Sequence, residues 1–306
     1  MNNAAPGLPE FDYIKPHSLT QASEFLAEHA GEARPFLGGT DVFVRLRDGA
    51  WKDKYLIDVK HLDGSDQLAF DPQAGLTIGA AVNMNRVIAA PPIQENYPVL
   101  VEACRSVASY QLRTRATIVG NLCNASPAGD TIGACLLLDG RLRVHGLDGF
   151  RWEPLKDFFL GPGQTRLQPG DVVTALHFPL PPPFCSGTYV KLGRNDLSDL
   201  AIVGVTVLTH PAAILPSGYR FRIALAAVAP VPLLALEAEA YLAEKRPSEA
   251  AFKEAAHLAQ AACHPIDDLR GSARYRLAMV RNLTLQALRT TWNARADSPA
   301  RADPPA

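Results

Sequence analysis

The apolar positions at the start of the chain change period several times. Leu19, Ala22, Phe25, Leu26 and Ala30 fall on one face of a 3.6-residue repeat. Ser18 offers an N-cap hydroxyl before them and Gly31 a stop after them, so a helix is predicted between the two. Arg34 to Leu37 reads as extended and runs into Gly38-Gly39-Thr40, with a second short helix starting at Thr40 or Asp41. Leu56-Ile57-Asp58-Val59 and Leu76-Thr77-Ile78-Gly79 have strand character, and Val99 to Val107 has helical spacing. Ala116-Thr117-Ile118-Val119 reads as a strand that breaks at Gly120, and Leu136–Leu138 and Leu142–Val144 flank a turn at Asp139-Gly140.

Pro179-Leu180-Pro181-Pro182-Pro183 stiffens the chain and removes backbone donors, which marks a boundary. Beyond it, Thr188–Leu192, Ile202–Leu208 and Tyr219–Val228 read as three strands. Leu233–Ala243, Ser248–Ala262 and Ala273–Ala294 are rich in alanine and leucine at helical spacing. Strands followed by helices suggest a separate α+β domain over residues 184–295, after a first domain over 1–180. The Pro/Ala-rich end, residues 296–306, is expected to fray.

The chain has 306 residues, enough for two domains, and its 47% hydrophobic content suffices for a buried core. Thirty basic against 31 acidic residues give a net charge of -1, which argues against a general nucleic-acid or membrane-surface binder. No apolar run reaches the roughly 20 residues that a spanning helix needs, and Met1 to Pro9 lacks a signal peptide's pattern, so a cytoplasmic protein is expected. The five cysteines include no Cys-x-x-Cys pair, and the eight histidines no His-x-x-x-His spacing. Reduced thiols are expected, with no metal site and no iron–sulfur nest in this chain.

Two segments carry candidate binding chemistry. In Phe36-Leu37-Gly38-Gly39-Thr40-Asp41, two glycines after a strand let backbone N–H groups approach an anion such as a diphosphate. The same pattern also makes an ordinary tight turn. Asp41 would repel phosphate, so its side chain is expected to point away onto neighbouring N–H groups. The second segment runs from Ala116 to Asp130 and is dense in small and hydrogen-bonding residues. Such a loop either wraps a ligand or caps the next helix through Asp130. In the first case Asp130 serves ribose hydroxyls, and Thr117, Asn121 and Ser126 serve phosphate or ring edges. No catalytic acid–base set, phosphate-loop lysine motif or nucleophile elbow stands out.

Together with Tyr189-Val190-Lys191-Leu192-Gly193-Arg194 running into Asp199-Leu200-Ala201, these segments resemble the FAD subunits of the xanthine dehydrogenase and carbon monoxide dehydrogenase family. These are the medium subunits of molybdenum hydroxylases. The opening Phe11-Asp12-Tyr13-Ile14-Lys15-Pro16 is similar too, and the likeness runs from about residue 10 to 292. It implies the two-subdomain FAD-binding fold of the vanillyl-alcohol-oxidase (PCMH) type, with subdomains at about 10–60 and 61–180. A three-stranded sheet and a helix bundle would complete the chain. The resemblance places the FAD diphosphate on Leu37, Gly38, Gly39, Thr40 and Asp41 and on Thr117, Ile118, Gly120 and Asn121. It puts Asp130 near the ribose or adenosine, with Val173 and Lys191 lining the cleft. The pattern departs at Val119, where the family usually has the first glycine of Thr-Ile-Gly-Gly-Asn. Valine suits neither positive φ nor close phosphate approach.

The family mechanism implies hydroxylation at a molybdopterin site in a large subunit. Electrons would cross two [2Fe-2S] clusters in a small subunit, reach FAD here and leave to a final acceptor. It further implies a dimer of such heterotrimers. The run from Asn121 straight to Asp130 leaves no room for the cysteine-rich insertion of the hydroxybenzoyl-CoA reductase branch. Two other readings stay open: a self-contained flavin oxidase or reductase of the same fold, and a scaffold without FAD.

Overall fold

Strands and helices alternate through the first 60 residues, the order that builds parallel pairing. A computed structural model describes residues 7–195 and 199–296. The first unit consists of β1 (Asp12–Ile14), α1 (Leu19–Glu28), β2 (Ala33–Phe36), α2 (Val42–Arg47) and β3 (Tyr55–Asp58). β3 lies between β1 and β2 and is parallel to both, with Leu56 opposite Tyr13 on one side and Arg34 on the other. Ser18 caps α1, its Oγ accepting the Gln21 N–H at 3.1 Å. Ala22 and Leu26 of that helix bury against Ile57, Val59 and Val172, each large apolar side chain contributing about 1.5–3 kcal/mol.

The second unit begins with the hairpin β4 (Leu68–Asp71) and β5 (Gly75–Gly79). Short helices follow: α3 (Met84–Ala89), α4 (Pro91–Asn96), α5 (Pro98–Arg105), α6 (Tyr110–Arg113), α7 (Ile118–Asn124) and α8 (Ile132–Leu137). The unit closes with β6 (Arg141–Gly146), β7 (Gly149–Pro154), β8 (Phe159–Gly161), β9 (Gln164–Thr165) and β10 (Val172–Phe178). Five strands pair antiparallel in the order β4-β5-β10-β6-β7. Leu76, Ile78, Leu142, Val144, Leu176 and Phe178 share a core with Leu100 and Cys104 of α5 and Ile118 and Leu122 of α7.

The stretch predicted as a strand, Ala116 to Val119, is instead the entry to α7. Thr117 is its N-cap, and its Oγ1 accepts the Gly120 N–H at 2.9 Å. The cap itself keeps extended backbone, at φ -119° and ψ 151°, and bridges Asn83. Two β-branched residues behind a threonine look like strand by propensity. Burial decides otherwise, since in helical geometry Ile118 and Val119 both turn inward and are each 1% exposed. Val119 is not among the left-handed residues, so valine there needs neither positive φ nor glycine.

The third unit holds β11 (Ser186–Leu192), β12 (Val203–Pro211), β13 (Tyr219–Ala226), β14 (Leu233–Leu234), α9 (Leu236–Glu244), α10 (Glu249–Ala261) and α11 (Ala273–Ala296). The expected three strands gain a fourth, because Leu233 and Leu234 pair with Leu225 and Ala224 instead of opening the helix. One sheet face packs Val205, Val207, Phe221 and Ile223 against Leu242, Phe252, Val280 and Leu288 of the helices. From the other face Tyr189, Leu208 and Ala224 enter the core of the second unit. Polar contacts tie the same seam. Arg222 donates to the Leu137 carbonyl at 2.7 Å and to Asp139 at 2.8 Å. Glu102 of α5 accepts the Tyr189 N–H at 2.9 Å and the Thr188 hydroxyl.

The segment predicted to fray falls almost wholly on residues 297–306, outside the described residues. Among the described residues no helix is long and apolar enough to cross a membrane. The burial of Val119 makes a direct prediction. Val119→Gly removes the three-carbon isopropyl group from the core and places glycine inside a helix, so stability should fall by about 2–3 kcal/mol. Chemical denaturation measures this, and a variant as stable as the parent would contradict the buried placement.

Candidate functional site

Three segments converge on a cavity of about 330 Å³. Leu37, Gly38, Gly39, Thr40 and Asp41, between β2 and α2, form one wall. Thr117, Gly120 and Asn121 at the start of α7 form a second, and Val173 of β10 stands on a third beside Asp171 and Val172. The first two walls meet backbone to backbone. A Cβ built on Gly38 would fall onto the Arg115 carbonyl oxygen, so only glycine allows this approach. Gly39 sits at φ +74°, where a Cβ would also lie 2.7 Å from the Phe36 ring.

That geometry leaves a row of donors. Among the described residues, the N–H groups of Gly38, Gly39, Thr40 and Asp41 meet no protein acceptor, whereas the Gly39 and Asp41 carbonyls are taken by the Phe43 and Arg45 N–H groups. Peptide donors in such a position call for an anion or another strong acceptor. Asp41 does not turn back onto the N–H groups as expected. It makes no side-chain cap bond to α2 and lines the cavity. Desolvation against the cavity wall pushes its carboxyl above the usual range, against the pull of Arg45 and the Thr40 hydroxyl, although the residue as a whole stays open to solvent. Cys123 is on the wall as well, and desolvation pushes its thiol up to about 12. It is therefore a neutral thiol near pH 7.

Four of the residues singled out in the sequence, Ile118, Ser126, Asp130 and Lys191, stand off this wall, and the Ser126 Oγ accepts the Ala128 N–H at 3.3 Å. Ile118 is in the core. Asp130 and Lys191 pair with each other, Nζ to carboxylate at 2.8 Å. Asp130 also accepts the Tyr189 hydroxyl at 2.6 Å, and Lys191 donates to the Ser106 carbonyl at 3.0 Å. Burial pushes the Asp130 carboxyl up while Lys191 pulls it down. Burial and the neighbouring Asp130 carboxylate push the Tyr189 phenol well up. Asp130 is thus not the N-cap of α8, a position held by Thr131. Lys191 is not a surface lysine, since its side chain is only 14% exposed.

The cavity also gathers residues with no signal in the sequence. Arg34 of β2 lays its guanidinium 3.7 Å from the centre of the Trp51 ring, and both line the cavity. Arg34 Nε is anchored to the buried Asp53 at 2.7 Å. Asp171 accepts both Arg151 amino groups and the Gln168 N–H, which fixes it at the approach to β10. Arg34, Trp51 and Asp171 belong to no motif, and only the fold brings them to one place.

Comparison with known proteins bears on what the cavity takes. Residues 9–181 match the family model described as the FAD binding domain in molybdopterin dehydrogenase. Residues 188–291 match the CO dehydrogenase flavoprotein C-terminal domain. The carbon monoxide dehydrogenase medium chain of Hydrogenophaga pseudoflava is 30% identical over 289 residues, covering 93% of this chain and 98% of that one. The xanthine dehydrogenase FAD-binding subunit of Escherichia coli O157:H7 is 27% identical over 291 residues, 91% of this chain and 96% of that one. A solved carbon monoxide dehydrogenase from Hydrogenophaga pseudoflava, lacking the Mo-pyranopterin moiety of its cofactor, aligns with a TM-score of 0.89 at 30% identity. That alignment covers 94% of this chain and 99% of that one.

Gly39 gives the sharpest test of the wall. Gly39→Val adds left-handed strain and a clash with Phe36, and is expected to cost about 2–4 kcal/mol of stability. The distorted turn should also lose flavin in the fraction that remains folded. Unfolding curves and the flavin absorbance of the purified variant report both effects, and full flavin occupancy would show that this turn holds no part of a flavin cofactor.

Proposed function

The chain belongs to the FAD-binding family of the molybdopterin dehydrogenases and is an oxidoreductase subunit, and on that premise we propose that its cavity holds FAD with the diphosphate on the Gly38–Asp41 turn. The carrying observation is the row of N–H groups from Gly38 to Asp41 that meets no protein acceptor. A diphosphate fits them by charge and by the close approach that Gly38 and Gly39 permit. Leu37, Thr40, Gly120 and Asn121 complete the phosphate cradle, Thr117 and Ile118 contribute through the capped start of α7, and Val173 packs on the cofactor. Asp130 and Lys191 act from behind the wall and hold the loop before α8 against β11. The domains assigned to this work are residues 1–180, divided near 60, and residues 184–295.

FAD supplies the exchange between one-electron and two-electron carriers. This chain's residues bind it, exclude water and keep Cys123 a neutral thiol beside it. We infer that the chain passes electrons from two [2Fe-2S] clusters of a small subunit to a final acceptor. Oxidation of the organic substrate takes place at a molybdopterin centre in a large subunit. The support is that the relatives are themselves named a medium chain and an FAD-binding subunit. A dimer of heterotrimers in the cytoplasm is the assembly proposed.

Two outcomes are expected. Acid precipitation of the purified chain should release FAD, identified by chromatography, while FMN alone or flavin left on the protein would defeat the assignment. The lone chain, given heterocycles, aldehydes or thioesters and an artificial acceptor, should show no sustained turnover. Steady turnover would make it a self-contained flavin oxidase.

A further inference from the structure

We propose that the stacked pair Arg34–Trp51 is the platform on which the adenine ring of the dinucleotide lies, which makes Trp51 a specificity-determining residue for FAD over FMN. The inference rests on the reading of the cavity as the FAD site.

A diphosphate on the Gly38–Asp41 turn divides the cavity into two directions. Arg34 and Trp51 line the cavity from the first unit, and Asn121 and Asn124 of α7 line it from the second. The two ends of FAD make different demands. The isoalloxazine needs hydrogen-bond partners around its ring nitrogens and carbonyls, since these tune its electronics. Amide side chains suit that end: Asn124 lines the cavity beyond the phosphate cradle, whose bordering Asn121 has its Oδ1 oriented by the Thr131 hydroxyl at 2.7 Å. Adenine needs chiefly a flat surface, because every base has a π-face and stacking is tolerant of edge chemistry.

Arg34 and Trp51 supply such a surface, and it is held rigidly. The guanidinium lies 3.7 Å from the indole centre, and Arg34 Nε is tied to Asp53 at 2.7 Å. Asp53 is only 6% exposed, so the anchor is itself buried. The Trp51 backbone N–H is fixed to the Arg45 carbonyl at 3.0 Å. A pre-stacked cation and aromatic ring lose little freedom when a base is added, and arginine stacks on aromatic faces as tryptophan does. Trp51 is half-buried in the wall, so one part of the ring packs in the protein and another meets the cavity.

The test compares ligands that share one end of FAD. Deflavinated wild type, Trp51→Ala and Trp51→Phe are titrated with FAD, FMN and ADP by calorimetry or by competition against FAD fluorescence. Loss of one stacked base predicts that Trp51→Ala weakens FAD and ADP by roughly 5- to 150-fold, with FMN moved by less than about twofold. Trp51→Phe should restore most of the loss. Parallel weakening of FAD and FMN would put the flavin end at Trp51, and unchanged FAD affinity would remove Trp51 from the site; either overturns the proposal. Failure of the wild type to bind FAD would instead overturn the cofactor assignment itself.

Discussion

Everything in the site depends on the contact between Gly38 and the Arg115 carbonyl. The first unit supplies the turn after β2, the second supplies the start of α7, and at this point the two segments touch with no side chain between them. A larger residue would hold the units apart and open the cavity into a groove. The approach also decides which atoms form the wall. Side chains are kept out of the gap, so at Gly38 and Gly39 the surface offered to a ligand is bare peptide. Peptide dipoles fixed by packing need little reorganisation when charge arrives.

Fixed charge near this wall is mostly compensated within the protein. Asp53 is paired with Arg34, Asp130 with Lys191, and Asp171 with Arg151. Of these three pairs only Asp130–Lys191 is largely buried on both sides. Breaking it would leave an unpaired buried charge at a cost of about 3–5 kcal/mol, whereas the half-exposed arginines of the other two keep access to water. The value of all three pairs here is positional. Each joins elements distant in the chain: β2 to the approach to β3, β11 to the loop before α8, and β7 to the approach to β10. Asp41 is the exception, a carboxyl in the wall held up by desolvation.

Most of the element order was legible in the sequence, because long apolar periodicities with capping residues leave few choices. Ser18 before α1 and Ser248 before α10 both cap as their position suggests, accepting the Gln21 and Ala251 N–H groups. The two glycine-containing segments could be recognised as a possible anion site, and the fold brings them to one cavity. What could not be read depends on tertiary competition. Ile118-Val119 has strand propensity, and only the Thr117 cap and the core on one side make it helix. The Asp130–Lys191 pair spans 61 positions. The Arg34–Trp51 stack links a strand to a loop with no motif around either residue.

The seam between the second and third units sets how the protein behaves as a physical object. Val205 and Ile223 pack outward onto the helices, while Tyr189, Leu208 and Ala224 are part of the core below them. Arg222 and Glu102 add polar ties across the same plane. The covalent link between the units, from Pro179 to Phe184, runs partly exposed. A protease cutting there would sever the chain without separating the halves, because neither half can leave without stripping apolar surface and stranding buried donors. The nicked molecule would travel as one particle, and its two fragments would part only under denaturant. The Pro-rich segment is a join in the sequence and not in the body of the protein.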